Sequence, residues 1–284
     1  MTIEDAHRML ISTLAELYDE REAASICSLV MERLTGMPKS LRISSRKEPF
    51  SITQEEIFQT YLRQLTSHRP VQYVLGEAWF GPLAFYVDEN VLIPRPETEE
   101  LADWLLKDIS SFKPGTTLID IGTGSGCIAV YVKKKRKDLK ILALDISEAA
   151  LNIAKKNSEI LDADLDFILC DIRDESQWTK IDAADLIISN PPYIPLSQKL
   201  LLEKHVKDFE PDLALFVPDA DPIIFYKTIG YFAIKKLKPG GFLFLEIHHD
   251  YAREVMEWYE ANGFSLNLRK DFSGNNRMIK VERI

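Results

Sequence analysis

The most chemically pointed stretch of the chain is four residues long, Asn190-Pro191-Pro192-Tyr193. It directly follows Leu186-Ile187-Ile188-Ser189, a short apolar run that reads as a buried strand. Two consecutive prolines fix φ and remove two amide donors. They leave a rigid loop in which the Asn190 side-chain oxygen and the Pro191 carbonyl can both face one substrate NH2 group. Accepting both protons holds a planar nitrogen in place and raises its electron density as it attacks a methyl group. Tyr193 can lie over such an acceptor as a stacking wall, with Pro192 beside it. The plainer reading of Asn190 is an ordinary Asn-Pro turn.

A second constellation is Asp120-Ile121-Gly122-Thr123-Gly124-Ser125-Gly126, between the strand-like Leu118-Ile119-Asp120-Ile121 and a helix beginning near Cys127. Glycines there permit a tight turn and close backbone approach to a ligand, and the helix start offers free amides. The next strand, Ile141-Leu142-Ala143-Leu144-Asp145, ends in an acid placed to accept ribose hydroxyls. Cys170-Asp171-Ile172 ends a third. Asp171 can meet an adenine amino group with Ile172 packed on the ring, or it can simply cap a turn. The glycine order is not Gly-x-Gly-x-x-Gly. An acid at Asp120 would repel a pyrophosphate but can meet a cationic amino-acid moiety, directly or through water. These residues favour S-adenosylmethionine over a dinucleotide, and no Gly-Lys-Ser/Thr supports a nucleoside triphosphatase. The sulfonium is already a leaving group, so the protein's work is alignment, desolvation and electrostatics, without a nucleophile or a metal. His248-His249 followed by Asp250 are poorly spaced for joint chelation and read better as a strand exit or N-cap.

The elements that must position these groups fall into two regimes. Residues 3–70 look helical. Ala6, Leu10, Leu14 and Leu17 return at helical spacing, then Ala23, Cys27, Val30 and Leu34, with a stop near Gly36 and Pro38. Thr53-Gln54-Glu55-Glu56 has capping-box spacing and predicts a third helix carrying Ile57, Tyr61 and Leu65. Three to five helices are expected. Over 71–96 the pattern changes to strand, Gly81-Pro82 turn and strand, predicting a hairpin between domains. Residues 97–284 alternate helix and continuous apolar strand, predicting a mainly parallel sheet of about seven strands, covered on both faces. The last two predicted strands, in 264–268 and 278–281, would place one reversed strand at or near the sheet edge.

Length and composition fit this division. The 284 residues, 46% hydrophobic and 28% charged, can bury a substantial core. The N-terminal residues show no basic stretch leading into an apolar run, and no segment approaches a membrane span, so a cytoplasmic protein is expected. Cys27, Cys127 and Cys170 are scattered without metal-ligand spacing and read as buried thiols. A net charge of −9 lowers the prior for nucleic acid. The one strong basic run, Lys133-Lys134-Lys135-Arg136-Lys137, reads as a helix end where positive charge suits the macrodipole.

Together these motifs resemble the protein-(glutamine-N5) methyltransferases that modify peptide chain release factors, and the resemblance covers nearly the whole chain. It is carried by the helical N-terminal region, His68-Arg69-Pro70-Val71-Gln72-Tyr73-Val74-Leu75-Gly76, Val91-Leu92-Ile93-Pro94-Arg95-Pro96-Glu97-Thr98-Glu99, Asp120 to Gly126, Asp145, Asn190 to Tyr193, and Asp271-Phe272-Ser273-Gly274-Asn275-Asn276-Arg277. The family implies a class I, Rossmann-like methyltransferase domain behind a small helical substrate-recognition domain. Its acceptor is the glutamine of a Gly-Gly-Gln loop, and its by-product is S-adenosylhomocysteine. Carried onto this chain, Asn190 and Pro191 hold the carboxamide and Tyr193 lines its slot. Asp120, Gly122, Thr123, Gly124, Ser125, Gly126, Asp145 and Asn190 hold the cofactor, with Asp171 and Ile172 at the adenine end. Arg95 and Pro96 help wall the two sites, although a purely structural ion pair stays open for Arg95 and a helix-start charge for Glu97 and Glu99. A monomer acting on release factors, without a membrane or nucleic-acid substrate, is the implied state. Two departures from the family pattern stand out, 217–222 in place of a glycine-rich continuation and His248 in place of glycine.

Asn-Pro-Pro-Tyr is shared with DNA and RNA adenine-N6 methyltransferases, so such an enzyme is the rival reading. It would need a basic approach surface and room for a flipped purine. A cofactor-binding assembly factor without transferase activity is a third.

Overall fold

The computed structural model describes residues 1–110 and 112–283. The chain divides into two compact units, Met1–Glu77 with Glu203–Phe209, and Ala78–Leu202 with Glu210–Ile284. The linker expected over 71–96 is therefore divided: 71–77 belongs with the helices and the hairpin with the sheet.

In the first unit, helix α1 (Ile3–Leu14) starts at a Thr2–Asp5 capping box, each residue's side chain accepting from the other's backbone amide. Helix α2 (Glu20–Thr35) runs from Asp19 to Gly36, which takes the left-handed φ of 65° that a C-terminal stop favours. Helices α3 (Lys39–Ser44), α4 (Ile52–Thr66) and α5 (Val71–Leu75) complete the five of its N-terminal stretch. The α4 cap differs from the expectation. Ser51, not Thr53, is the N-cap, and Gln54 closes its box. Ile57 is correspondingly exposed, while Phe58, one position on, is fully buried with Leu65. Both neighbours are apolar, so periodicity left the helix phase open by one residue. Leu17 lies beyond the end of α1, half-buried in the following turn. Ala6, Leu10, Leu14, Ala23, Cys27, Val30 and Leu34 form the core of this unit.

The second unit opens with the hairpin β1 (Ala78–Phe80) and β2 (Leu83–Phe85), paired antiparallel across Gly81-Pro82. Phe80 and Phe85 are fully buried in the unit's own core, and Tyr131 packs edge-on against Phe80. Along the chain follow α6 (Pro96–Asp108), β3 (Thr117–Ile121), α7 (Cys127–Lys135), β4 (Lys140–Asp145), α8 (Glu148–Ile160), β5 (Asp166–Leu169), β6 (Ala184–Ser189), β7 (Ile194–Pro195), α9 (Lys204–Lys207), α10 (Asp212–Leu215), β8 (Phe216–Val217), α11 (Ile224–Lys236), β9 (Leu237–Glu246), α12 (Ala252–Ala261), β10 (Phe264–Lys270) and β11 (Asn276–Arg283). Among these, α9 falls in the first unit.

Among the described residues the main sheet has seven strands in the order β10-β11-β9-β6-β3-β4-β5. Strands β9, β6, β3, β4 and β5 pair in parallel, and β11 runs antiparallel to both of its neighbours. The reversed strand thus lies second from the edge, with β10 outside it. Alternate residues of the continuous apolar strands serve opposite helical layers. Ile119, Ile121, Ile187, Leu243 and Leu245 face a cluster containing Tyr226, Phe232 and Tyr259. Leu118, Leu186, Ile188 and Phe244 face one containing Leu101, Leu105 and Val130. The strand order reverses between β3 and β6, a switch point at which open α/β sheets bind ligands.

Gly230 in α11 marks the tightest helix contact. A Cβ there would lie 2.1 Å from Trp258 Cζ3. That ring cannot easily retreat, since Tyr231 and Tyr259 pack edge-on against it at 5.1 and 5.0 Å. Gly230→Ala is therefore expected to destabilise by about 2 kcal/mol, roughly 5 °C in Tm, although alanine is the better helix former. An unchanged melting temperature would show that Trp258 swings aside freely.

Candidate active site

The parallel register brings the chemistry-bearing residues to one end of the sheet. Ile121 pairs with Ser189 and Ser189 with Leu245, so Gly122, Asn190 and Glu246 stand side by side one residue further on. On the other flank Ile121 pairs with Leu144, and Asp145 with Leu169. Ser189 ties the centre together, its hydroxyl donating to the Ile121 carbonyl at 2.7 Å.

Beyond these ends opens a cavity of about 230 Å³, lined among others by Gly122, Gly124, Asp145, Asp171, Ile172 and Asn190. Pro191, Pro192, Leu92 and Phe225 also reach it. Gly122 and Gly124 hold left-handed φ angles of 71° and 55°, and nothing lies within 4 Å of where either Cβ would be. Their backbone therefore faces open space that a ligand can approach. Asp145 is fixed beneath this turn, one carboxylate oxygen accepting from Gly124 N–H at 2.9 Å and the other from Ser147 N–H at 2.9 Å. Burial pushes its carboxyl above the usual range, and those amides oppose the shift.

Asp120 is fully buried behind the same turn. Its Oδ2 accepts from the Thr123 hydroxyl at 2.7 Å, whereas Oδ1 has no hydrogen-bond partner among the described residues. An unsatisfied buried carboxylate oxygen is costly and asks for a partner. Burial raises this carboxyl to about 7, with the Thr123 bond lowering and the Asp145 charge raising it further.

Asn190 is held from behind. Its Nδ2 donates to Thr98 Oγ1 at 2.9 Å, and Thr98 in turn donates to Glu246 Oε2 at 2.6 Å. The second oxygen of Glu246 accepts from the Tyr193 hydroxyl at 3.0 Å. Glu246 is only 1% exposed. Burial raises its carboxyl, while the two hydroxyl donors and the charge of Arg277 act the other way. Burial and the Glu246 charge keep the Tyr193 hydroxyl protonated, and so a donor. Neither Thr98 nor Glu246 was singled out for chemistry by the sequence patterns. The available signal was an acid closing an apolar strand, the same feature that marks Asp145.

The other expected site residues have different surroundings. Thr123 is buried against Asp120. Ser125 is buried too, and its carbonyl accepts from Asn157 Nδ2 at 2.9 Å. Gly126, with φ of 81°, is where α7 begins, and its Cβ would come within 3.1 Å of Ala154 Cβ. Its glycine thus serves close packing on α8. These three and Asp120 shape the turn from behind, and none of the four lines the cavity, so Asp120 would act on a bound cation from beneath the turn, directly or through water. Arg95 is in the ion pair left open above. Its Nη2 donates to the buried Glu210 at 2.5 Å, and the other Glu210 oxygen accepts from Ile93 N–H at 3.2 Å. Pro96 is the first residue of α6, and Glu97 and Glu99 lie in that helix's first turn. Asp171 combines both readings. It lines the cavity, and it accepts from Arg173 N–H at 2.9 Å. Although burial works to raise it, the Arg173 hydrogen bonds bring its carboxyl below the usual value.

Tyr193 lies behind the cavity wall, its ring edge-on to His248 at 5.6 Å. His248 is the N-cap of the short turn that follows β9, with Nδ1 accepting from Asp250 N–H at 3.2 Å. Its ring stacks on His249 with only 14° between the planes, and although His248, His249 and Asp250 bring one ligand atom each within 4.8 Å of one another, the Nδ1 of His248 already accepts from the Asp250 amide. Three residues of the basic run that closes α7 are engaged with the fold. Lys133 and Lys134 donate to the Leu139 and Leu161 carbonyls, and Arg136 to the Ile109 and Phe112 carbonyls.

Comparison with known proteins agrees with this architecture. The family model "Methyltransferase small domain" matches residues 98–205, and "PrmC N-terminal domain" matches residues 5–76. A release factor glutamine methyltransferase of Flavobacterium psychrophilum is 38% identical over 99% of both chains. One from Bacteroides thetaiotaomicron is 37% identical over 95% of this chain and 96% of its own. The chain belongs to the release factor glutamine methyltransferase family. A solved protein-(glutamine-N5) methyltransferase (release factor-specific) from Alicyclobacillus acidocaldarius is 28% identical, covering 70% of this chain and 99% of that one with a TM-score of 0.44. Gly122, Gly124, Asn190, Pro191 and Pro192 all line the same cavity. No helix among the described residues is long and apolar enough to cross a membrane.

Proposed function

We propose that the enzyme transfers the methyl group of S-adenosylmethionine to the side-chain amide nitrogen of the glutamine in the Gly-Gly-Gln motif of peptide chain release factors. The observation that carries this reading is the arrangement of Asn190. Its amide NH2 group is turned to Thr98, which leaves Oδ1 to accept, and Asn190 and Pro191 both line the cavity, so that Oδ1 and the Pro191 carbonyl are the two acceptors we assign to the substrate nitrogen. Two fixed acceptors suit a carboxamide NH2, which has two hydrogens to give.

The residues fit the methyl donor. Gly122 and Gly124 give backbone room, Asp145 offers its carboxylate to ribose hydroxyls, and Asp171 with Ile172 provides a polar and an apolar contact for adenine. The unpartnered Oδ1 of Asp120 suits the cationic amino-acid end. When bound, the sulfonium supplies an activated methyl group, and S-adenosylhomocysteine is the by-product. The chain's own groups then have three tasks: hold the acceptor nitrogen, align it with the methyl carbon, and keep water out. No protein nucleophile or metal enters this scheme. The helical unit is assigned to recognition of the release factor, with the enzyme acting as a cytoplasmic monomer.

The deciding experiment is radiolabelled methyl transfer to a purified release factor. A variant with the Gly-Gly-Gln glutamine changed to alanine serves as control, and adenine-containing RNA and DNA run in parallel. Label is expected on the intact release factor alone. Label on nucleic acid but not on protein would overturn the substrate assignment in favour of an adenine-N6 enzyme.

A further inference from the structure

We infer that Thr98 and Glu246 are positioning residues that set the direction of the Asn190 carboxamide, forcing its oxygen rather than its NH2 group toward the substrate. This rests on the reading of Asn190 as an acceptor for the substrate nitrogen.

The two ends of a carboxamide are nearly identical in shape, so packing alone does not choose between them. Hydrogen-bond direction does. The Thr98 hydroxyl has a single hydrogen, and Glu246 Oε2 accepts it at 2.6 Å. Only lone pairs of Thr98 Oγ1 then remain for Asn190, whose Nδ2 donates to them at 2.9 Å. Were the amide flipped, Asn190 Oδ1 would meet Thr98 Oγ1 at that distance with no hydrogen between two acceptors. The carboxylate is itself prevented from turning. Its other oxygen is engaged by Tyr193 at 3.0 Å. Burial raises this carboxyl and the charge of Arg277 opposes that shift, Arg277 itself being bonded through Nε to Asp271 at 3.1 Å. Both Glu246 oxygens accept, one from Thr98 and the other from Tyr193, and this gives the relay one sense from Glu246 through Thr98 to Asn190. Thr98 and Glu246 are 3% and 1% exposed, so water does not compete for these bonds.

The arrangement also accounts for two features that catalysis at Asn190 alone leaves unused. One is a buried acid at the end of an apolar strand. The other is a β-branched hydroxyl in the first turn of α6, inside Pro96-Glu97-Thr98-Glu99.

The test compares wild type with Thr98→Val, which keeps the shape and removes both hydrogen-bond functions, and with Thr98→Ser, which restores them. The Asn190 side-chain NH2 signals are followed by NMR on protein labelled with 15N at asparagine, assigned by their loss in Asn190→Ala. Thr98→Val should move these signals and speed their exchange with solvent. It should lower kcat about 20-fold with the dissociation constant for S-adenosylmethionine within about threefold of wild type. Thr98→Ser should restore the signals and bring kcat back to within about threefold. Unmoved Asn190 signals in Thr98→Val, or an unchanged kcat, would overturn the inference. If Thr98→Val does not fold, Glu246→Gln decides by the same two readouts, because a glutamine can donate to Thr98 and reverse the relay. A wild type that methylates no release factor would instead sink the substrate assignment, and the NMR comparison would still decide the orientation of Asn190.

Discussion

Asn190→Ala should lower kcat for methyl transfer by on the order of 10³-fold while leaving S-adenosylmethionine binding within about fivefold of wild type. The asymmetry follows from what the side chain does. Asn190 touches the cavity at one edge, whereas the Gly122–Gly124 backbone, Asp145 and Asp171 supply most of the contacts proposed for the cofactor. Removing Oδ1 leaves the Pro191 carbonyl as a single acceptor, so the substrate nitrogen can rotate away from the methyl carbon. As the new N–C bond forms, the amide hydrogens grow more positive and the lost acceptor is missed most in the transition state. The damage therefore falls on kcat more than on substrate KM. The same change leaves Thr98 Oγ1 without its donor in a buried site, an additional cost on the order of 1 kcal/mol to stability. A variant with near-wild-type turnover would refute the nitrogen clamp. A variant that cannot bind cofactor would show instead that Asn190 belongs to the cofactor site.

The parts of this site that were legible in the sequence are those written in backbone-controlling residues. Two prolines after an apolar strand and three glycines after another announce rigid or tight turns whatever surrounds them, and Asn190, Gly122 and Gly124 all reach the cavity. Where the fold depends on phase or register, the sequence left more than one answer. Ile57 and Phe58 are equally apolar neighbours, and only packing against the other helices buries the second. Ser51 and Thr53 both offer a hydroxyl, and the one preceding Ile52 caps the helix. The Thr98–Glu246 bond joins residues 148 positions apart. It exists because β6 and β9 pair so that Ser189 meets Leu245, and because Glu246 falls on the same sheet face as Phe244, against α6. Arg95 shows the converse. Its place in a motif shared by the family suggests the site wall, but its guanidinium is engaged by Glu210, an acid whose side chain is completely buried. That pair anchors the segment from Ile93 to Arg95, and so positions the start of α6 and Thr98 with it.

Cofactor affinity should rise with pH through neutrality, and Asp120 is the reason. Burial raises its carboxyl to about 7, so the free enzyme carries it largely protonated below that pH. The cationic end of S-adenosylmethionine favours the ionised form, and binding at lower pH must therefore release a proton. For one group with a free-enzyme value of about 7, the apparent dissociation constant should fall roughly eightfold between pH 6 and pH 7.5. At the upper limit the donor's own α-amino group, with a pKa of about 7.7–8.0, begins to lose its charge and trims that fall to about five- to sixfold. Stability of the free enzyme should move the other way. A carboxyl raised from 3.8 to about 7 favours the folded state fully below 3.8, and that contribution is lost as pH rises through 7. The thermal shift produced by saturating cofactor should accordingly widen across the same window. Asp120→Asn removes the titrating group while keeping its shape and its acceptor for Thr123. It should flatten the affinity profile and weaken binding roughly 10²-fold at pH 7.5, the scale of a lost buried charge pair. Calorimetry in two buffers of different ionisation enthalpy reads the proton release directly. Asp145 is the control that separates the two acids. Both its oxygens are already engaged by backbone amides, and its proposed partners are neutral ribose hydroxyls, so Asp145→Asn should weaken binding and, by removing a charge that raises Asp120, move the pH dependence to lower pH without abolishing it. A wild-type affinity that does not change over that interval, or an Asp120→Asn variant that keeps the wild-type slope, would show that Asp120 does not face the cofactor's charge.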